Sequence, residues 1–391
     1  MNRPLKVTWV GLRGFPGVQG GVEKHAEQLC PLLAELGCEV RVLTRRRYQA
    51  NTPDPAWRGV RFLGLWAPRH KHLEAVVHTF LAILVAAVVE RPDVLHIQAI
   101  GPGLWAGWAR LLGLKVVVTH HGPDYDRQKW GRLARGVLRL GERSSVRWAH
   151  GLIVISRVIQ NAVAERDGRC GTLIRNGLTL PQALPPSDAL RHFGLTAGRY
   201  ILLVSRLVPE KRHLDLIEAF RRAGLPGWKL VIVGAADHAD AYAQTVMDAL
   251  AGADRTVATG LQSGAALQDL YANAGFFVLP SSHEGLPIAL LEALSFGLPV
   301  LASDIPANLE IGLPAGSHFP LGDIDALADR LTTLATTEET AADRQRRQAW
   351  AAETFSWERS ARETLAVYTR IASAEDAKRA SRTAIGQASI R

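Results

Sequence analysis

The first 45 residues constrain the fold most. Residues 5–10 form an apolar, β-rich run, and a loop follows with glycines at 11, 14, 17, 20 and 21. Val22, Ala26, Leu29, Leu33 and Leu36 then recur at steps of three or four until Gly37, after which residues 39–44 read as a second strand. Two parallel strands need a long crossover, so a strand, a helix and a strand in this order imply a parallel sheet. Further strands are expected at residues 60–63, 94–98, 115–119 and 151–155, with helical patterns between several of them. Periodicity stops at residues 176–187, where Gly177, Pro181, Pro185 and Pro186 suggest a linker. The alternation then restarts, with strands at 200–205, 229–233, 256–258, 276–279 and 299–302. Helices are expected at 211–223, through Met247, and at 265–274 and 288–296. Two doubly wound α/β domains are therefore predicted, over residues 1–180 and 181–356. A last helix, 357–372, carries Ala361, Leu365, Tyr368 and Ile371 on one face and should pack back on the first domain, with 373–391 a flexible tail.

A length of 391 residues suits two such domains, and 47% hydrophobic with 21% charged residues excludes a disordered or collagen-like chain. Cys30, Cys38 and Cys170 form neither a disulfide framework nor a zinc-spaced cluster. Residues 1–10 lack the apolar region and cleavage site of a signal peptide, so a cytoplasmic location is expected. The apolar stretch 75–89 is too short to span a bilayer and reads as a buried helix. Charge is lopsided: residues 1–180 hold 26 Lys/Arg against 13 Asp/Glu, and residues 181–391 hold 20 against 24. The basic half should face something anionic, with nucleic acid, a phosphorylated substrate or a membrane surface as candidates.

Three stretches carry chemistry. The loop at 11–21 lies between a strand and a helix, where free N–H groups favour an anion, although glycines needed only for a turn would look the same. Its spacing never matches GxGxxG, and Arg45-Arg46-Arg47 stands where a dinucleotide site wants an acid. In Ser205-Arg-Leu-Val-Pro-Glu-Lys-Arg212, Arg206 and Lys211 could converge on one diphosphate, or be ordinary surface charges. In residues 281–299, Glu284 precedes a helix and Glu292 sits on it among Ile288, Ala289, Leu290, Leu291, Ala293 and Leu294. A carboxylate on so apolar a helix needs a partner, either ligand hydroxyls or a protein cation.

These residues resemble a known family. From about residue 5 to 371 the chain is similar to the family 4 glycosyltransferases, the retaining, sugar-nucleotide-dependent type, including those that build bacterial surface polysaccharides. Glu284 and Glu292 in HEGLPIALLEALSFGLPV match the family's E-x7-E pair, and SRLVPEKR matches its phosphate-binding segment. GVQGGVEKHAEQL, VVTHHGPDYDRQKWGRLA and IRNG are similar to first-domain segments. The resemblance implies a GT-B fold, two Rossmann-like domains facing a cleft, with the acceptor on the first and the nucleotide-sugar donor on the second. It implies that Arg206 and Lys211 hold the donor diphosphate and that Glu292 binds the ribose. Glu284, with the backbones of Gly285 and Leu286, would hold the transferred sugar. His121 would approach the reaction centre, though a structurally satisfied histidine at a strand end is the alternative. Gly20 and Gly21 would let the first loop approach the donor phosphates and acceptor.

No metal-binding acidic motif stands in a suitable context, so no metal or other cofactor is expected; the protein's cations would neutralise the leaving group. Arg132, Arg135, Arg139, Arg143 and Arg147 flank Leu133, Val137, Leu140 and Trp148, and Trp66, Trp105, Trp108 and Trp130 lie in the same half. This describes a basic amphipathic helix that could rest on an anionic membrane and admit a lipid-linked acceptor at the inner face of the cytoplasmic membrane. A solvated arginine face over an ordinary core helix is the alternative. No nucleic-acid-binding module is present. A noncatalytic sugar-nucleotide-binding subunit would keep the same folds, but Arg206, Lys211, Glu284 and Glu292 together favour an enzyme, with a GT-B-like epimerase as the nearest other activity.

Overall fold

The structure, a computed structural model, describes residues 3–48, 56–70, 73–123, 125, 131–181, 187–236 and 241–388, with side chains through 374. Trp130, Pro185 and Pro186 lie outside the described residues. Those described fall into two compact units, one of residues 3–176 with 357–388 and the other of residues 177–356.

The first unit holds an eight-stranded sheet of β1 (Leu5–Val10), β2 (Cys38–Arg45), β3 (Ala56–Trp57), β4 (Val60–Leu65), β5 (Val94–Gln98), β6 (Val116–His120), β7 (Gly151–Val154) and β8 (Thr172–Leu173). Its order is β3-β4-β2-β1-β5-β6-β7-β8, parallel except for the β3/β4 pair. Central strands such as β5 and β6 are buried at every residue, as expected of strands covered on both faces. Between β1 and β5 the strand order reverses direction.

The second unit holds β9 (Tyr200–Val204), β10 (Lys229–Val233), β11 (Thr256–Gly260), β12 (Phe276–Leu279), β13 (Val300–Ser303) and β14 (His318–Phe319), all parallel in the order β11-β10-β9-β12-β13-β14. Its reversal lies between β9 and β12. The crevice beyond the strand carboxyl ends at such a reversal is where open α/β sheets bind ligands.

Several boundaries differ from the sequence reading. The first unit ends at Asn176 and not near 180: the Asn176 side chain bonds to His25 of the first helix, whereas the Leu178 amide bonds to the Phe355 carbonyl. The last helix runs Trp357–Ala388, past the expected tail start at 373, because residues 373–385 contain good helix formers and neither glycine nor proline. Its Trp357, Ala361, Tyr368 and Ile371 belong to the buried core of the first unit with Trp9, Ala26 and Leu29. Residues 74–90 are helical but buried on one face only, leaving Val88 and Val89 exposed.

The helix Arg132–Trp148 packs through Gly141, Glu142, Ser145 and Val146. Leu133, Val137, Leu140 and Trp148 are not core: they lie exposed beside the arginines, Leu133 at 89% and Leu140 at 57%. The arginines are solvated over a helix packed on the core, as the alternative reading has it, but the packed face is this small-residue side and not the apolar stripe.

Candidate active site

Two loops of the second unit meet at its strand-order reversal. The first leaves β9 with Arg206, forms a short 3₁₀ turn at Pro209–Lys211, and turns through Arg212 at φ 51° into the helix His213–Ala223. Lys211 therefore precedes the helix and is not its first residue, as the sequence reading had it. The second loop leaves β12 and reaches the helix Ile288–Ser295, with Glu284, Gly285 and Leu286 between them. The loops are tied by the Glu210 carbonyl, which accepts from the Ser282 amide at 2.8 Å and from its hydroxyl at 3.3 Å.

Across this tie the Lys211 ammonium donates to the Glu284 carboxylate, both side chains being largely buried. Beneath it His213 Nε2 lies 2.9 Å from Ser205 Oγ, and the Tyr242 hydroxyl accepts from the His213 amide at 3.1 Å. Burial, with the nearby Lys211 charge, pulls the His213 pKa down to about 3, so the ring adds no positive charge at neutral pH.

Glu292 has a partner that the sequence reading missed. The Tyr271 hydroxyl donates to Glu292 Oε2 at 3.1 Å, and the Tyr271 ring stacks on Phe296 with centroids 5.4 Å apart. Burial, then the Glu292 charge, hold the Tyr271 pKa far above the usual range, so the hydroxyl keeps its proton and acts as donor. Neither ligand nor cation is required for this bond.

His121, Gly20 and Gly21 belong to the first unit. After β6, His120 and His121 point to opposite sides, as successive residues of an extended chain do. His120 Nε2 lies 2.7 Å from Glu142 while its Nδ1 accepts from the Gly122 amide at 3.1 Å, which fixes the turn. His121 Nε2 lies 2.8 Å from Gln98 Oε1 at the end of β5. Its ring meets the buried His25 edge-on at 4.8 Å, and His25 Nδ1 lies 2.8 Å from Asn176 Oδ1. Burial brings the His25 pKa down to about 4, against a small opposing effect of the Asn176 bond.

Gly20 caps the helix Gly21–Glu35 at φ 153°. A Cβ there would lie 2.2 Å from Glu23 Oε2 and 2.6 Å from an Arg13 nitrogen, so any other residue would take up this unfavourable φ and push the ion pair aside. Gly21 borders open space. Burial would raise the Glu23 carboxyl, but the Arg13 charge and hydrogen bonds outweigh it and hold the pKa below its usual value. The Arg13 Nε to Glu23 Oε1 distance is 3.0 Å. An anion does sit at this helix start, and the chain supplies it. Glu23 was visible in the sequence as an acid in a first helical turn, and Asn176 stood in the IRNG segment with no role attached; nothing local marked Gln98 or Tyr271.

Residues 20–177 match the family described as glycosyl transferase 4-like domain, and residues 193–351 match glycosyl transferases group 1. The 2-deoxystreptamine N-acetyl-D-glucosaminyltransferase of Streptomyces fradiae is 28% identical over 284 residues, 67% of this chain and 66% of that protein. The D-inositol 3-phosphate glycosyltransferase of Rhodococcus erythropolis is 26% identical over 413 residues, 95% of this chain and 92% of that one. The chain thus spans just under two thirds of the first relative and nearly all of the second. The crystal structure of Anabaena Alr3699/HepE with UDP and glucose superposes with a TM-score of 0.76 at 17% identity, covering 94% of this chain and all of that one. At that identity the likeness concerns the GT-B fold alone.

Proposed function

The chain belongs to the group 1 glycosyltransferases, and from that premise we propose that it moves a hexose-type sugar, with retention, from a nucleotide-sugar donor to a hydroxyl of a lipid-linked or growing polysaccharide. The observation that carries this reading is the Lys211–Glu284 contact between loops leaving the adjacent strands β9 and β12 at the strand-order reversal. It puts a cation suited to a phosphate beside a carboxylate suited to sugar hydroxyls, which is what the sugar–phosphate bond of a donor requires.

As that bond breaks, positive charge develops on the sugar and negative charge on the diphosphate. Arg206, Lys211 and the amides at the start of the helix Ile288–Ser295 would stabilise the latter, each donor contributing roughly 3 kcal/mol to the transition state. The departing phosphate would take the proton of the incoming acceptor hydroxyl on the same face. Glu284 would orient the sugar, and Glu292, aimed by Tyr271, would accept from the ribose hydroxyls. Glu284 is a positioning carboxylate in this scheme and not a nucleophile.

A peripheral membrane contact is part of the proposal, at the inner face of the cytoplasmic membrane. It is supported by the exposed Leu133, Val137 and Leu140 beside Arg132, Arg135, Arg139 and Arg143. No helix among the described residues is long and apolar enough to cross a membrane.

The test is a thermal-shift screen of UDP-, GDP- and dTDP-sugars followed by transfer assays on lipid-linked acceptors, starting from UDP-hexoses because HepE was solved with UDP and glucose. Stabilisation by one nucleotide series, lost in Arg206→Ala and Lys211→Ala, is expected. Donor consumption with no acceptor would indicate an epimerase, and no stabilisation by any nucleotide sugar would overturn the reading.

A further inference from the structure

Gln98 ends β5 beside the strand-order reversal of the first unit and is wholly buried. Its side-chain oxygen meets His121 Nε2 at 2.8 Å, while its amide nitrogen is buried with no hydrogen-bond partner among the described residues. A buried N–H group without an acceptor is a cost that leucine or valine, the usual occupants of such a strand, would avoid. The next residue, Ala99, is held at φ 70°, a left-handed conformation unfavourable for alanine, and its amide bonds to the Thr119 carbonyl at 2.9 Å. An orphaned amide and a strained backbone at one strand end both become intelligible if the Gln98 carbonyl has a task.

We infer that Gln98 is a positioning residue for His121, accepting from its Nε2–H and so holding the imidazole in one orientation and one tautomer, with the lone pair on Nδ1. An amide oxygen can only accept, so the bond requires the proton on Nε2. Nδ1 is then the nitrogen able to accept from a hydroxyl, and His121 is suited to a sugar hydroxyl and not to a phosphate oxygen. A titratable group in ring contact with His121 is His25, whose own Nδ1–H is engaged by Asn176 Oδ1. Two amides therefore lock two edge-to-face imidazoles, and His25 stays uncharged beside its neighbour. The consequence for turnover rests on the glycosyl-transfer reading above; the tautomer does not.

The test uses the full chain with ¹⁵N-labelled histidine, the His121 signals being assigned by their loss in His121→Phe. Wild type is expected to show His121 as the Nε2–H tautomer. In Gln98→Leu that preference should disappear, with kcat falling about tenfold, donor KM little changed and the donor-induced thermal shift retained. In Gln98→Glu, nearly identical in shape, the new carboxylate should move the His121 titration and the acid limb of the pH–rate profile to higher pH. A wild-type Nδ1–H tautomer would mean that Gln98 donates and would overturn the inference, as would His121 signals and titration unchanged in both variants. If the spectra behave as expected but no variant, nor wild type, transfers sugar, it is the assigned activity that fails.

Discussion

Single side chains divide the work at the second unit's loops. Lys211 and Glu284 are mutual partners, so removing either leaves a largely buried charge as well as a missing ligand contact. Glu284→Ala should lower kcat by about a hundredfold or more while the protein remains folded by circular dichroism; unchanged turnover would remove the residue from the site. Tyr271→Phe should act differently, since it removes one bond that aims Glu292 without touching the sugar: donor KM should rise several-fold with kcat nearly constant. Steady-state kinetics separate the two patterns. In the proposed scheme Arg206 and Lys211 would take the place that a divalent ion holds in other phosphate sites, so activity is expected to survive EDTA. Loss in EDTA restored by magnesium or manganese would contradict that assignment.

Among the elements, the helix Arg132–Trp148 shows most clearly why a sequence pattern needs a structure. Its periodicity displays both an arginine stripe and an apolar stripe, yet the residues that meet the core are on a third side. There Gly141 approaches so closely that a Cβ would lie 2.2 Å from the Ile100 carbonyl. Gly141→Ala should therefore cost about 1–3 kcal/mol in urea unfolding. Changing Leu133, Val137 and Leu140 together to glutamine should leave stability almost unaltered, because these side chains are exposed, but should abolish co-sedimentation with anionic vesicles at low salt. Equal sedimentation of wild type and variant would show that this stripe is not the membrane contact.

For the molecule as a whole, buried neutral histidines set the response to acid. His25 and His78 have pKa values brought down to about 4, and His96 lies well below its usual value, all in the first unit and all chiefly through burial. In the second unit His213 is brought down to about 3. An unfolded chain protonates these rings near pH 6.5, whereas the folded one resists until near pH 4 or below. Their contribution is thus fully present above pH 6.5 and is lost as pH falls, by roughly 3 kcal/mol for a ring such as His25 at pH 4. Urea midpoints should drop steadily from pH 7 to pH 5, and the first unit's midpoint should fall further than the second's as acid is added. A flat midpoint over that range would contradict the assigned neutrality.

By itself the sequence determined two doubly wound domains, because alternating apolar strands and amphipathic helices are written in local periodicity. It also marked Arg206, Lys211, Glu284 and Glu292, since each lies at a junction between a strand and a helix or on the helix that follows. Tertiary structure alone decided which groups support the site. Tyr271 reaches Glu292 across 21 residues, Gln98 reaches His121 across 23, and Asn176 reaches His25 across 151. Nothing in a chain's local spacing records such pairs, because they exist only once parallel strands are set side by side and their ends brought together.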